Sequence, residues 1–155
     1  MKKLILLLFI PLFSFSQTYE EVISINNLDF FRKVMIENDY KRHYGSEDKG
    51  TIYRYGKGLE KDSLSSEFVA YRWGYYNTKT NVWEIKIHDR TILWDTYEKI
   101  YDKVKENCEF YDVLTRNDSV EVVTYFCKDS SLKGKIGFYT DKKDSDNIVF
   151  LPDSS

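Results

Sequence analysis

Apolar residues recur at helical spacing in two stretches of the chain. In residues 19–42 they lie three or four positions apart, and Thr18 to Glu21 fits a capping box, in which Thr and Glu side chains bond to each other's backbone N–H. In the second stretch, residues 95–98 fit another capping box at the start of a helical stripe. The pattern predicts two helices, with apolar positions Leu28, Phe31, Val34 and Met35 in the first and Tyr97, Ile100, Tyr101, Val104, Cys108 and Tyr111 in the second.

Shorter stretches rich in β-branched and aromatic residues lie between turn-forming residues. Residues 67–77 and 82–88 alternate most clearly and predict a hairpin. The predicted loops between consecutive strands are short, and short loops join antiparallel strands. Helices that pack on one face of such a sheet bury its apolar side chains. We predict an α+β fold: an antiparallel sheet of about five to six strands with two helices packed on one face, in the order α-β-β-β-α-β-β-β. The other predicted strands are residues 51–56, 120–127, 134–140 and 147–152.

The hairpin contains aromatic residues at alternate positions, and the loop between its strands decides which residues meet. If the loop has an odd number of residues, with Asn77 opposite Asn81, Tyr75 is opposite Trp83 and aromatic residues share one face. This arrangement predicts that Tyr71, Trp73, Tyr75 and Trp83 belong to the core. The alternative is that they form a ligand platform.

The opposite face of the same hairpin is then the candidate binding surface. It has both signs of charge, an aromatic residue and a histidine, and Tyr and Arg are frequent in the energetic centres of protein interfaces. The alternative is an ordinary solvated sheet face. The predicted outward residues are Arg72, Tyr76, Glu84, Lys86 and His88.

Two pairs of segments suggest an internal duplication. FRKVMIENDY (31–40) aligns with YDKVKENCEF (101–110) at a spacing of 70, but TYEE (18–21) aligns with TYEK (96–99) at a spacing of 78. The two spacings conflict, so a repeat is only suggested. In its order of elements the chain is loosely similar to small secreted inhibitor domains built from two helix-plus-strands halves, of the beta-lactamase inhibitory protein type, which implies an inhibitor-like binding role.

The first 16 residues have the three parts of a secretory signal peptide. Lys2 and Lys3 precede an apolar run over residues 4–13, and Ser14 and Ser16 provide the small residues before a cut at Gln17. A membrane anchor is the alternative, but a span needs about 20 apolar residues and this run is half as long. We therefore predict a signal peptide at 1–16 and one exported α+β domain at 17–155, in the periplasm or outside the cell.

Charge and cysteine content restrict the function of the exported chain. After removal of Lys2 and Lys3 with the signal peptide, the chain has 21 basic and 25 acidic residues. A mildly acidic chain with mixed charges lacks the basic patch that binds nucleic acid or anionic lipid. No second apolar run approaches spanning length, so the exported domain is expected to be soluble.

Cys108 and Cys127 predict a disulfide in an oxidising compartment; the alternative is two buried thiols. Two cysteines alone do not make a structural zinc site.

Three common sequence motifs of enzymes are absent from the chain. G-x-S-x-G, H-E-x-x-H and the phosphate-binding G-x-x-x-x-G-K-[ST] are all absent. We therefore predict a non-catalytic protein-binding or inhibitor-like module without cofactor or metal, whose partner is another exported or envelope protein. The alternatives are a small exported hydrolase that uses carboxylates or His88, and a structural envelope component.

Overall fold

The computed structural model describes residues 17–43, 51–61, 68–87, 90–116, 119–128, 130–141 and 145–153. Within these ranges eight strands form one antiparallel sheet in the order β1-β2-β3-β4-β8-β7-β6-β5. The predicted signal peptide and His88 lie outside the described residues. The elements are α1 (Tyr19–Ser24), α2 (Leu28–Glu37), β1 (Lys41–His43), β2 (Ile52–Lys61), β3 (Phe68–Asn77), β4 (Val82–Ile87), α3 (Arg90–Asn107), β5 (Glu109–Arg116), β6 (Val120–Phe126), β7 (Gly134–Thr140) and β8 (Asp146–Pro152).

The prediction of an α+β fold with an antiparallel sheet is confirmed, but the predicted numbers of strands and helices were wrong. The described chain has eight strands instead of five or six, and three helices instead of two. Strand β1 has only three residues, too few for an alternating pattern to be visible. The helical stripe was also extended too far, because α3 ends at Asn107 and Cys108 and Tyr111 follow it.

Local capping explains where the N-terminal helices begin. Thr18 and Glu21 form the predicted capping box of α1. Asn27 then caps α2 by accepting a hydrogen bond at 3.0 Å from the backbone N–H of Phe30, which separates the two helices. The second predicted capping box was wrong, because residues 95–98 lie inside α3.

The described chain has two halves of similar order: two helices precede four antiparallel strands in the first, and one helix precedes four antiparallel strands in the second. Strands β4 and β8 come last in the two halves and pair with each other at the centre of the sheet. Helix α2 ends at Glu37 and α3 at Asn107, 70 residues apart, as in the alignment of residues 31–40 with 101–110. The other alignment matches the start of α1 to the middle of α3, so only the first corresponds to the fold.

Helices α2 and α3 contact the same face of the sheet, and α1 packs against both of them. Phe31 and Met35 of α2 lie over Gly74 in β3, and Tyr101 of α3 lies over Phe138 in β7 with ring centroids 4.8 Å apart. Gly74 and Phe138 belong to one row across the sheet, so both helices cover one side. The corner between α1 and α2 is bound to this face by the indole of Trp83, which donates to the carbonyl of Ile25 at 3.0 Å.

The close approach of α2 to the sheet depends on Gly74. A Cβ atom at this position would overlap the sulfur of Met35 and lie 3.2 Å from the ring of Phe31. We expect Gly74→Ala to lower the free energy of unfolding by about 2 kcal/mol, because the flexible methionine can move only part of the way. Urea denaturation checks this. In a Met35→Ala background the same substitution should cost less, and an equal cost would show that Met35 is not the obstacle.

The predicted disulfide between Cys108 and Cys127 is present. It joins the residue after α3 to the residue after β6, across a sequence separation of 19. The hydroxyl of Tyr19 in α1 lies 3.7 Å from the sulfur of Cys108, so the bridge is also next to the first helix. A disulfide is compatible with an oxidising compartment outside the cytoplasm.

Candidate functional site

The loop between β3 and β4 has four residues, and the predicted odd-numbered register was wrong. Asn77 is paired with Val82, and residues 78–81 form the loop. The side-chain oxygen of Asn77 accepts from the backbone N–H of Lys79 at 2.9 Å and of Thr80 at 3.4 Å. Asn81 takes the left-handed conformation with φ of 54°, which a short polar side chain tolerates. Four-residue loops are common in hairpins. Because the number of loop residues is even, each residue of β3 is opposite a residue of β4 that the prediction had placed on the other face.

The change of register separates the residues of the predicted binding surface. Arg72 is paired with Ile87 and Tyr76 with Trp83, and both lie beneath the helices with 4% and 3% of their surface exposed. Glu84 and Lys86 do lie on the opposite side of the sheet. Arg72, Tyr76, Glu84 and Lys86 therefore do not form one outward surface.

The predicted aromatic core needs the same correction. Trp83 is buried, as predicted. Trp73 and Tyr75 are half-buried on the side away from the helices, paired with Lys86 and Glu84. The side chain of Tyr71 lies outside the described part of the chain. We call this side of the sheet, which carries Trp73, Tyr75, Glu84 and Lys86, the open face, because no described helix contacts it.

Polar partners allow Arg72 to be buried in the core. Its guanidinium donates to the hydroxyl of Thr96 in α3 at 3.4 Å and lies near the hydroxyl of Tyr40, whereas its Nε is buried without a hydrogen-bond partner. Polar groups near a buried charge lower the cost of burying it, and both of these come from segments distant in sequence. Arg72 was predicted to point outward because it is charged, and this prediction was wrong.

Aromatic rings form a continuous cluster on the open face. Trp73 and Tyr75 are stacked with centroids 6.1 Å apart, and His43 of β1 meets Trp73 edge-on at 5.4 Å. Arg54 and Glu84 flank Tyr75 on the neighbouring strands. Burial raises the pKa of the Tyr75 phenol; the charge of Arg54 lowers it and that of Glu84 raises it, with a net upward shift. Tyr75 is thus a neutral hydroxyl that can donate a hydrogen bond.

A network of polar side chains lies beside this cluster. Glu84 accepts from the hydroxyl of Tyr139 at 2.6 Å and from the guanidinium of Arg116 at 3.0 Å, and Arg116 also donates to Tyr139 at 2.9 Å. Lys86 forms an ion pair with Asp141. Burial and the hydrogen bond to Glu84 both raise the pKa of Tyr139, so this phenol remains a donor.

The network also shows that the open face is concave. Arg116 is in β5 and Glu84 is in β4, with three strands between them. On a flat sheet four steps between strands amount to about 19 Å, which is more than the two side chains can span. Since they meet at 3.0 Å, the sheet curls toward the open face. Val149 and Val122 are accordingly buried although they lie on this side.

A cavity opens next to Tyr75 on this concave surface. Its volume is about 320 Å³, and Arg54, Tyr75, Glu84 and Arg116 are among the residues that line it. A cavity of this size, with an aromatic wall and charged side chains in its lining, can receive a side chain of a partner. Within the described ranges no three His, Cys, Asp or Glu side chains come together as a metal site.

No protein-family model, curated protein or solved structure matches this chain. None of the helices in the described part of the chain is long and apolar enough to cross a membrane. From the sequence, Trp73 and Tyr75 were assigned to the core, with a ligand platform as the alternative, and the assignment to the core was wrong. The signal against that assignment was the alternation of Trp83, Ile85 and Ile87 in β4, which marks the buried side of that strand without reference to the loop.

Proposed function

We propose that this protein is an exported, non-catalytic binding module that holds an acidic loop of another exported protein against its open face. The observation that carries the proposal is the stacked pair of Trp73 and Tyr75 on a side of the sheet that no described helix covers. The two alternatives, a hydrolase using carboxylates or His88 and a structural envelope component, stay predictions, and no contact in the described residues favours either.

The chemistry of the open face supports a protein partner. Trp, Tyr and Arg contribute most of the binding energy in protein interfaces, especially where a cavity receives a partner's side chain and surrounding contacts exclude water. Here Trp73 and Tyr75 lie beside a cavity that Arg54 and Arg116 also line. The concave shape favours a protruding loop over a flat surface.

The distribution of charge supports an acidic partner. Among the described residues of the open face near Trp73 and Tyr75, Lys41, Arg54, Lys86 and Arg116 are cationic, whereas Glu84 and Asp141 are anionic. On the strands farther away, Lys135 is accompanied by Glu109 and Asp112. The excess of positive charge is thus confined to the part of the open face around Trp73 and Tyr75, and the whole chain is acidic. A partner loop with several carboxylates would therefore be both attracted and correctly oriented.

The binding proposal predicts a large effect of Trp73. The full chain, expressed with its own leader and a C-terminal tag, is cross-linked in the exported fraction of the source cell, and the cross-linked partner is purified for affinity measurements. We expect Trp73→Ala to weaken binding about 30-fold, as for an interface residue worth about 2 kcal/mol. Binding should also weaken as salt rises.

The control substitution is Ile36→Ala, which truncates an apolar side chain of α2 that is 60% exposed on the helix side. This variant should bind like the wild type. Equal binding by both variants, or loss of binding only in Ile36→Ala, would exclude the open face as the interface. Oxidative footprinting should protect Trp73 and Tyr75 in the complex, and unchanged labelling of both would contradict the proposal.

A further inference from the structure

The side chain of Gln17 lies in a buried polar site, although it adjoins the predicted cleavage point. Only 4% of its surface is exposed. Its side-chain oxygen accepts a hydrogen bond at 3.2 Å from the hydroxyl of Tyr40, whereas its side-chain nitrogen is buried without a hydrogen-bond partner. The site therefore provides a hydrogen bond for the side-chain oxygen of Gln17 but none for its nitrogen, and burying an amide nitrogen without a partner costs free energy.

The surroundings of Gln17 fit a carbonyl oxygen better than a cation. The hydroxyl of Tyr40 donates to the side-chain oxygen of Gln17 and lies near the guanidinium of Arg72. Burial raises the pKa of Tyr40 to about 12, against the opposing charge and hydrogen bond of Arg72. Tyr40 is therefore a neutral donor, and an ammonium group added here would lie close to the positive charge of Arg72.

Cleavage before Gln17 would expose the chemistry that resolves this mismatch. The free α-amine of an N-terminal glutamine can attack its own side-chain carbonyl carbon. A bond forms between the α-nitrogen and that carbon, the bond from the carbon to the side-chain nitrogen breaks, and ammonia leaves. The resulting lactam keeps the oxygen that Tyr40 binds, and it removes both the unpaired nitrogen and the charge of the terminus.

We propose that Gln17 is a modification site: the mature chain begins there as pyroglutamate, and the lactam oxygen binds to Tyr40. The inference rests on the predicted cleavage of residues 1–16 and is independent of the binding role of the open face. The modified terminus would stabilise the folded chain by joining Gln17, which lies just before α1, to Tyr40, which directly precedes β1.

The mass of the exported protein tests the modification. The full chain is expressed in the source cell, purified from the exported fraction and analysed by intact mass and by Edman degradation. We expect a chain that begins at residue 17, is lighter by one ammonia, and is blocked to Edman chemistry until pyroglutamyl aminopeptidase is added. An uncleaved leader, another cleavage point or a free Gln17 amine would each overturn the proposal.

Two variants test the site that binds the lactam. Gln17→Asn keeps an amide but would need a strained, smaller ring, so its terminus should stay open to Edman chemistry and its unfolding equilibrium constant should rise about tenfold. Tyr40→Phe lies far from the cleavage point in sequence and should still be blocked, with a similar loss of stability. A blocked Tyr40→Phe protein as stable as the wild type would show that the lactam does not bind Tyr40.

Discussion

The Trp83→Ala variant should lose about 4 kcal/mol of the free energy of unfolding, the largest effect that we expect for a single substitution. Trp83 is 1% exposed, and its ring is stacked on Phe150 with centroids 5.8 Å apart. Truncation leaves a large cavity and removes the donor for the buried carbonyl of Ile25. Urea denaturation followed by far-ultraviolet circular dichroism measures the loss without relying on tryptophan fluorescence.

The matched control is Trp73→Ala, the same truncation on the adjacent strand but on the open face. We expect a loss of about 1 kcal/mol, since Trp73 is half-buried and contributes mainly its ring contacts with Tyr75 and His43. Trp83→Phe, which retains most of the ring, provides an intermediate value if the alanine variant does not fold. Equal losses for Trp73 and Trp83 would contradict the four-residue loop and the assignment of faces that follows from it.

The double variant Cys108→Ala/Cys127→Ala should lose about 3 kcal/mol of the free energy of unfolding. The bridge closes a loop of moderate length and restricts the unfolded chain, and in the folded state it joins the end of α3 to the end of β6. Replacing both cysteines avoids leaving a free thiol. The measurement is the urea midpoint of the exported protein under oxidising conditions.

Reduction of the wild-type protein provides the control for this prediction. Dithiothreitol should shift the wild-type midpoint toward that of the double variant and should leave the double variant unchanged. If the reductant has no effect on the exported wild type, and two free thiols can be alkylated, the bridge does not form in the cell. The prediction of an oxidising compartment would then fail with it.

Local signals in the sequence were sufficient for several elements. The capping box at Thr18 and the strand Gly134–Thr140 have their predicted positions, because each depends on residues that are neighbours in the chain. The disulfide was predictable because the chain contains only two cysteines. The strand β5 was missed because Cys108 and Tyr111 continue the apolar spacing of α3 past its end at Asn107.

The sequence was less informative about the candidate site, because the site depends on which side of β3 the helices cover. Side chains of β3 alternate strictly, so the sequence alone determined that Trp73 and Tyr75 lie on one side and Arg72 and Tyr76 on the other. It did not determine which side the helices cover. That choice came from the four-residue loop and from Thr96 and Tyr40, which put a hydrogen-bonded hydroxyl and a second hydroxyl near the buried guanidinium of Arg72. Contacts between segments distant in sequence decided it, because they lower the cost of burying a charge.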